Sequence, residues 1–146
     1  MKLMTQTEFW SLLVDSLSTI LAAIAILLYI IIWKKDKSTG AYDVFDGLYL
    51  DILKTGIEHP HLRDLQRTAD YKNAFNHHEQ LQYEAYAFIC WNFIETIYDR
   101  ADDELFITWM PALEAETQLH LAWFYMPENQ TKFKEAFKCF VKEKLS

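Results

Sequence analysis

From Trp10 to Trp33 the chain is a mainly apolar run with its polar residues confined to the first half, 24 residues that rise about 36 Å as a helix and so suffice for a bilayer core. A tryptophan at each end fits the interfacial aromatic belt, and Lys34, Lys35 and Lys37 follow like a stop-transfer flank. Ser38-Thr39-Gly40 offers a small-residue cleavage site, but the apolar stretch is longer than an ordinary signal core. An uncleaved anchor is therefore expected. Two stripes separate within the run. Ser11, Asp15, Ser18, Ala22 and Ala25 recur at alternating spacings of 4 and 3 and make a small, polar line. Leu13, Leu17, Ile20, Ile24, Leu27 and Ile31 make a bulky aliphatic one. Small residues let helix backbones approach and hydroxyls bond across the contact, so the first stripe is the expected face for association with another copy. Asp15 either faces that copy or, about 7.5 Å inside Trp10, reaches interfacial water. The lysine flank sets the orientation: a single-pass inner (cell) membrane protein with its following domain in the cytoplasm.

Past a short polar linker, Lys34 to Ala41, the helical period returns. Residues 42–57 predict a helix with Phe45, Leu48, Tyr49, Ile52 and Leu53 on one side, ending at Gly56. Pro60 opens a turn or short helix, and residues 68–78 predict a loop in which Asn76 caps the next element. Residues 79–100 place Tyr83, Ala87, Cys90, Ile94, Ile97 and Ala101 on one stripe. Nearly everything from Tyr86 to Tyr98 is apolar, so this is the expected central helix. The acidic "DRADDE" starts a helix from about 103 that must kink or restart at Pro111. Beyond Pro111, Ala112, Ala115, Leu119 and Ala122 offer a small face for close packing, with Glu116, His120 and Trp123 on the neighbouring stripe. A last helix, 130–144, turns Phe133, Ala136, Phe137, Phe140 and Val141 inward. No segment alternates like a strand. The expected fold is all-α, an N-terminal transmembrane helix with its flanks (1–37) and then a compact bundle of four to five helices (38–146).

Charge narrows the partners. The net charge of −7 conceals a balance of +1 over residues 1–41, −11 over 42–131 and +3 over 132–146. An acidic body opposes extended contact with nucleic acid, which rests on neutralising phosphates. It leaves a protein partner or a small anionic ligand held by local arginines. Cys90 and Cys139 both sit in apolar helical surroundings and are expected as buried free thiols.

Three constellations carry candidate chemistry. Asn92, Glu95, Asp99, Glu116 and His120 put carboxylates and an imidazole on helices that can face one another. A carboxylate-bridged metal site usually has two Glu-x-x-His pairs, whereas this chain has Glu-x-x-x-His once. Interhelical ion pairs and a hydrogen-bonded core histidine explain the same residues, so no metal or cofactor is expected. His59, His61, His77 and His78 cluster near the predicted loop without a defined ligand spacing, and read as solvated. Arg63 and Arg67, one turn apart and followed by Tyr71 and Lys72, are a candidate anion-binding set; a patch that neutralises nearby acids explains them equally. No glycine-rich phosphate loop, nucleophile elbow or Cys-His pairing is present, so no catalytic residue is assigned.

At "YDVFDGLYLDILKTGIEHPHLRD" and "YEAYAFICWNFIETIYDR" the chain resembles small bacterial proteins with one N-terminal membrane helix and a cytosolic all-helical domain. That architecture is also similar to membrane-tethered effectors of phage defence, including those switched by cyclic oligoadenylate in type III CRISPR immunity. The resemblance implies a ligand- or partner-binding membrane protein and supplies no catalytic motif. The expected function is a self-associating anchor whose cytosolic domain couples ligand or partner binding to the membrane helices. The alternatives are a membrane-tethered enzyme with a carboxylate/His site and a passive, immunity-type partner-binding protein.

Overall fold

The computed structural model describes the backbone of residues 6–145 and the side chains of residues 16–33, 40 and 42–145. Among these residues there is no strand, and the fold is all-α. The chain divides into two units, Met1–Gly40 and Ala41–Ser146. Helix α1 runs Gln6–Glu58 and so includes the polar stretch expected as a linker. That stretch holds no proline, and its one glycine, Gly40, costs a helix only about 1 kcal/mol.

In the first unit, the segment Ser16–Trp33 is exposed throughout and is long and apolar enough to cross a membrane. Its 18 residues span about 27 Å as a helix. Ser18, Ala22 and Ala25 of the small stripe lie on it, exposed; Ser11 and Asp15 fall outside the described side chains.

The second unit is a helical bundle whose boundaries are set by short polar signals. After α1 comes a 3-10 turn, Pro60–Arg63, with the proline in the first turn where its missing N–H is harmless. Two short helices follow, α2 (Leu65–Ala69), which runs into the start of the loop predicted over 68–78, and α3 (Tyr71–Ala74), which lies inside it. They exist because Asp64 caps α2 through Gln66 N at 3.0 Å, and because Thr68, Tyr71 and Phe75 are buried. Helix α4 (His77–Arg100) starts from a full capping box. Asn76 accepts from Glu79 N at 3.0 Å, and the Glu79 carboxylate accepts from Asn76 N at 2.9 Å. Helix α5 (Asp103–Phe124) is capped by Asp102 and continues through the exposed Pro111 without restarting. The chain closes with α6 (Pro127–Gln130), α7 (Glu135–Phe140) and a π-helical turn, Val141–Leu145.

Helix α4 is the central element. Tyr83, Ala87, Cys90, Ile94 and Ile97 of its predicted stripe are completely buried, and Tyr86, Trp91 and Phe93 are buried beside them. At one end of the core Trp91 stacks on Phe124 at 4.0 Å, and Phe133 and Phe137 of the C-terminal segment pack around that pair. The C-terminal phenylalanines thus belong to the core, as their spacing predicts. The last helix begins later than expected, at Glu135, so Phe137 and Phe140 sit on it while Phe133 lies in the bend before it, after the separate helical turn Pro127–Gln130.

Three expectations of burial are corrected, the first being Ala136 of the last helix, which is exposed. Cys139 is exposed, whereas Cys90 is buried as expected. The small face of α5 does not pack inward: Ala115 is exposed, and Ala112, Leu119 and Ala122 are half-buried. Its inward face carries Leu105, Trp109, Leu113, Glu116, Thr117, His120 and Trp123. Two chargeable side chains occupy core positions on that face, and the structure must satisfy them.

Candidate functional site

The site begins at Gly56, near the end of α1. Its missing Cβ leaves room for the methylenes of Arg63, which cross it on the way into the domain. There the guanidinium meets Glu116 of α5 as a fork: Nη1 donates to Oε2 at 2.9 Å and Nη2 to Oε1 at 2.7 Å. The Glu116 side chain is fully buried, while that of Arg63 remains 23% exposed. Tyr49 of α1 donates a third bond to Oε1 at 3.1 Å. Arg63 Nη1 also donates to the Tyr86 hydroxyl at 3.0 Å, and that hydroxyl in turn donates to Ile52 O at 3.1 Å. A bidentate guanidinium and a third donor supply the hydrogen bonds that a buried carboxylate requires.

One helical turn on, His120 lies wholly inside. Its Nδ1 sits 3.2 Å from the Tyr83 hydroxyl, and its backbone carbonyl accepts from Trp91 Nε1 at 3.1 Å. Nε2 points toward Glu116 Oε2 at 3.7 Å and makes no hydrogen bond. Cys90 of α4 completes the group. The donor atoms of Cys90, Glu116 and His120 lie within 4.8 Å of one another, and all three residues are buried. Among the described residues this is the grouping that can hold a metal.

Burial sets the protonation states. It presses the His120 imidazole down from 6.5 to about 3, with the Arg63 charge adding to the effect. It raises the Cys90 thiol, and the nearby Glu116 charge pushes the same way. It raises the Tyr49 phenol to about 12, again helped by Glu116. For Arg63, burial acts against the charge, but the bonds to Glu116 and Tyr86 outweigh it and hold the guanidinium protonated. At neutral pH the cluster is one closed ion pair among a neutral imidazole, a neutral thiol and neutral phenols. It presents no thiolate nucleophile.

The sequence-derived sets are divided by the structure. Of the anion-binding set, Arg63 turns inward to Glu116. Arg67 bonds both Glu79 oxygens at 3.1 Å and lies 4.5 Å over the Phe75 ring. Tyr71 is buried against Tyr83, and Lys72 pairs with Glu84 at 2.7 Å. Arg63 thus ties the 3-10 turn to α5, and the other three side chains hold α2 and α3 to α4. Of the polar cluster, Glu116 and His120 come together. Asn92 is exposed beside an apolar groove, Glu95 accepts from Lys134 N at 3.3 Å, and Asp99 pairs with Lys134 Nζ. The split follows from register: Asn92, Glu95 and Asp99 occupy a different face of α4 from Cys90 and Ile94. The histidines also separate. His59 and His61 are ring neighbours at 5.9 Å, and His77 and His78 are exposed on the first turn of α4.

Tyr49, Gly56, Tyr83, Tyr86 and Cys90 belong to the site without having been candidates. Tyr49, Tyr83 and Cys90 lie on predicted core stripes and Tyr86 opens the apolar stretch of α4, so periodicity marks all four as packing residues. The available signal was Glu116 and His120 on the same face as Leu113 and Trp123, since a core carboxylate requires a cation and hydroxyl donors. No family model, curated protein or solved structure matches the chain.

Two substitutions probe this geometry. A Cβ at Gly56 would lie 2.2 Å from Arg63 Cδ and 3.0 Å from the Tyr86 hydroxyl. Gly56→Ala is expected to destabilise by about 1–3 kcal/mol in chemical denaturation; an unchanged midpoint would show that Arg63 is not held as described. The second concerns pH. With a folded value near 3 against 6.5, the unfolded chain takes up the His120 proton first as pH falls. Stability is therefore full above about 6.5 and declines toward 3. His120→Gln should show a shallower loss of melting temperature between pH 7 and 5 than wild type, and parallel curves would contradict this.

Proposed function

We propose that the chain is a self-associating, single-pass inner-membrane protein whose cytoplasmic helical domain binds a ligand or protein partner and passes that binding to the membrane helix. The observation that carries this is α1 itself. The helix that bears the membrane-length run Ser16–Trp33 also supplies Phe45, Tyr49 and Ile52 to the domain, two of them core residues and the third bonded to Glu116. A change at the ion pair acts directly on a residue of that helix. Two further points support a binding role over catalysis. The candidate carboxylate is occupied by Arg63, and the thiol beside it is held protonated by burial. The small, polar stripe from Ser11 to Ala25 supports association of copies within the bilayer. A membrane effector in phage defence is one protein that would use such a coupling.

The two cysteines make a built-in topology reporter, since Cys139 is exposed and Cys90 is buried. A membrane-impermeant maleimide is expected to label the protein only after cells are opened, and the detergent-solubilised chain is expected to run as a multimer. Labelling in intact spheroplasts would reverse the orientation. A monomer at every concentration would remove self-association.

A further inference from the structure

We propose that Cys90, Glu116 and His120 bind a divalent transition-metal ion of zinc's type, taken up in exchange for the Arg63 guanidinium. The three donors come from two packed helices. Glu116 and His120 lie four residues apart on the inward face of α5, and Cys90 faces them from α4. A thiol, an imidazole and a carboxylate together suit borderline ions such as zinc, not magnesium or calcium.

The histidine supplies the independent sign. His120 is completely buried, and its Nε2 has no hydrogen-bond partner while it faces the Glu116 carboxylate. Buried ring nitrogens are ordinarily satisfied. The opposite nitrogen is held by the Tyr83 hydroxyl at 3.2 Å, the arrangement by which ligating imidazoles are commonly oriented. The donor atoms lie within 4.8 Å of one another, so a contraction of about 1 Å gives the spacing that bonds of about 2.0–2.3 Å require.

Charge explains why the ion must replace Arg63 instead of joining it. A dication bound by a thiolate, a carboxylate and a neutral imidazole is electrically balanced, and keeping the guanidinium would leave a buried excess charge. Arg63 can leave, because its side chain is 23% exposed whereas that of Glu116 is 0% exposed. On binding, Cys90 gives its proton to solvent and becomes the thiolate ligand. Glu116 keeps one cationic partner throughout, and the Tyr49 bond from α1 senses which one it is. The inference holds whether or not copies of the chain associate.

The test uses the full chain in detergent, stripped with chelator and titrated with cobalt(II). A thiolate-to-cobalt charge-transfer band in the near ultraviolet is expected to saturate at one ion per chain and to be displaced by zinc. Its apparent affinity should rise about tenfold per pH unit, since one thiol proton is released. Cys139→Ser should keep the band, and Cys90→Ser should lose it. Absence of the band in the wild-type chain, or its loss in Cys139→Ser, overturns the proposal. Should Cys90→Ser fail to fold, Cys139→Ser decides alone, because its sole thiol is Cys90.

Discussion

A carboxylate fully inside a helical bundle constrains everything around it. Left alone, Glu116 would cost several kcal/mol of desolvation, so the fold must deliver a cation and further donors to that point. Arg63 brings the cation from the 3-10 turn, and Tyr49 brings a hydroxyl from α1. Tyr86 ties the guanidinium to the Ile52 carbonyl. Each bond comes from a different stretch of chain. The ion pair therefore fixes the relative placement of the end of α1, the turn after it, α4 and α5. Even the glycine at position 56 is explained by the path that Arg63 must take.

Apolar packing around this point does the bulk of the stabilising, and it is dominated by rings. Phe45 and Tyr49 of α1 meet the edge of Trp109, and Tyr49 stacks on Phe93 at 5.3 Å. At the other end Trp91, Phe124, Phe133 and Phe137 bind the C-terminal segment to α4 and α5. Rings are tolerant of small shifts, whereas a bidentate ion pair is not. The ring clusters supply burial, and the ion pair supplies register.

The helices were legible from periodicity because apolar side chains must be buried at the 3.6-residue period. The stripe Tyr83–Ala87–Cys90–Ile94–Ile97 is fully inside, and Asn76 caps α4 as its position implies. The inward face of α5 differs from the one its small residues predict, for a physical reason. Small alanines and a polar Glu/His pair competed for the inward face, and the pair won because partners from distant chain were available. Those partners are 67 and 53 residues away for Tyr49 and Arg63, separations over which local pattern carries no information. The anion set failed to stay together for the same reason, since Arg63 had a better partner inside the protein than any open surface offers. Helix α1 continues through residues 34–41, whose polar composition predicts a linker but which hold no proline to stop a helix.

The central claim is that Arg63 and Glu116 act as one unit, and a double-mutant cycle on the full chain in mild detergent tests it most directly. Arg63→Met and Glu116→Leu each strand a buried charge or its partner, and each is predicted to cost about 3–5 kcal/mol in urea unfolding. Together they remove both charges at similar volume, so the double variant should recover most of that loss. Costs that simply add, or single losses below about 1 kcal/mol, would contradict the account and reduce the pair to a surface contact.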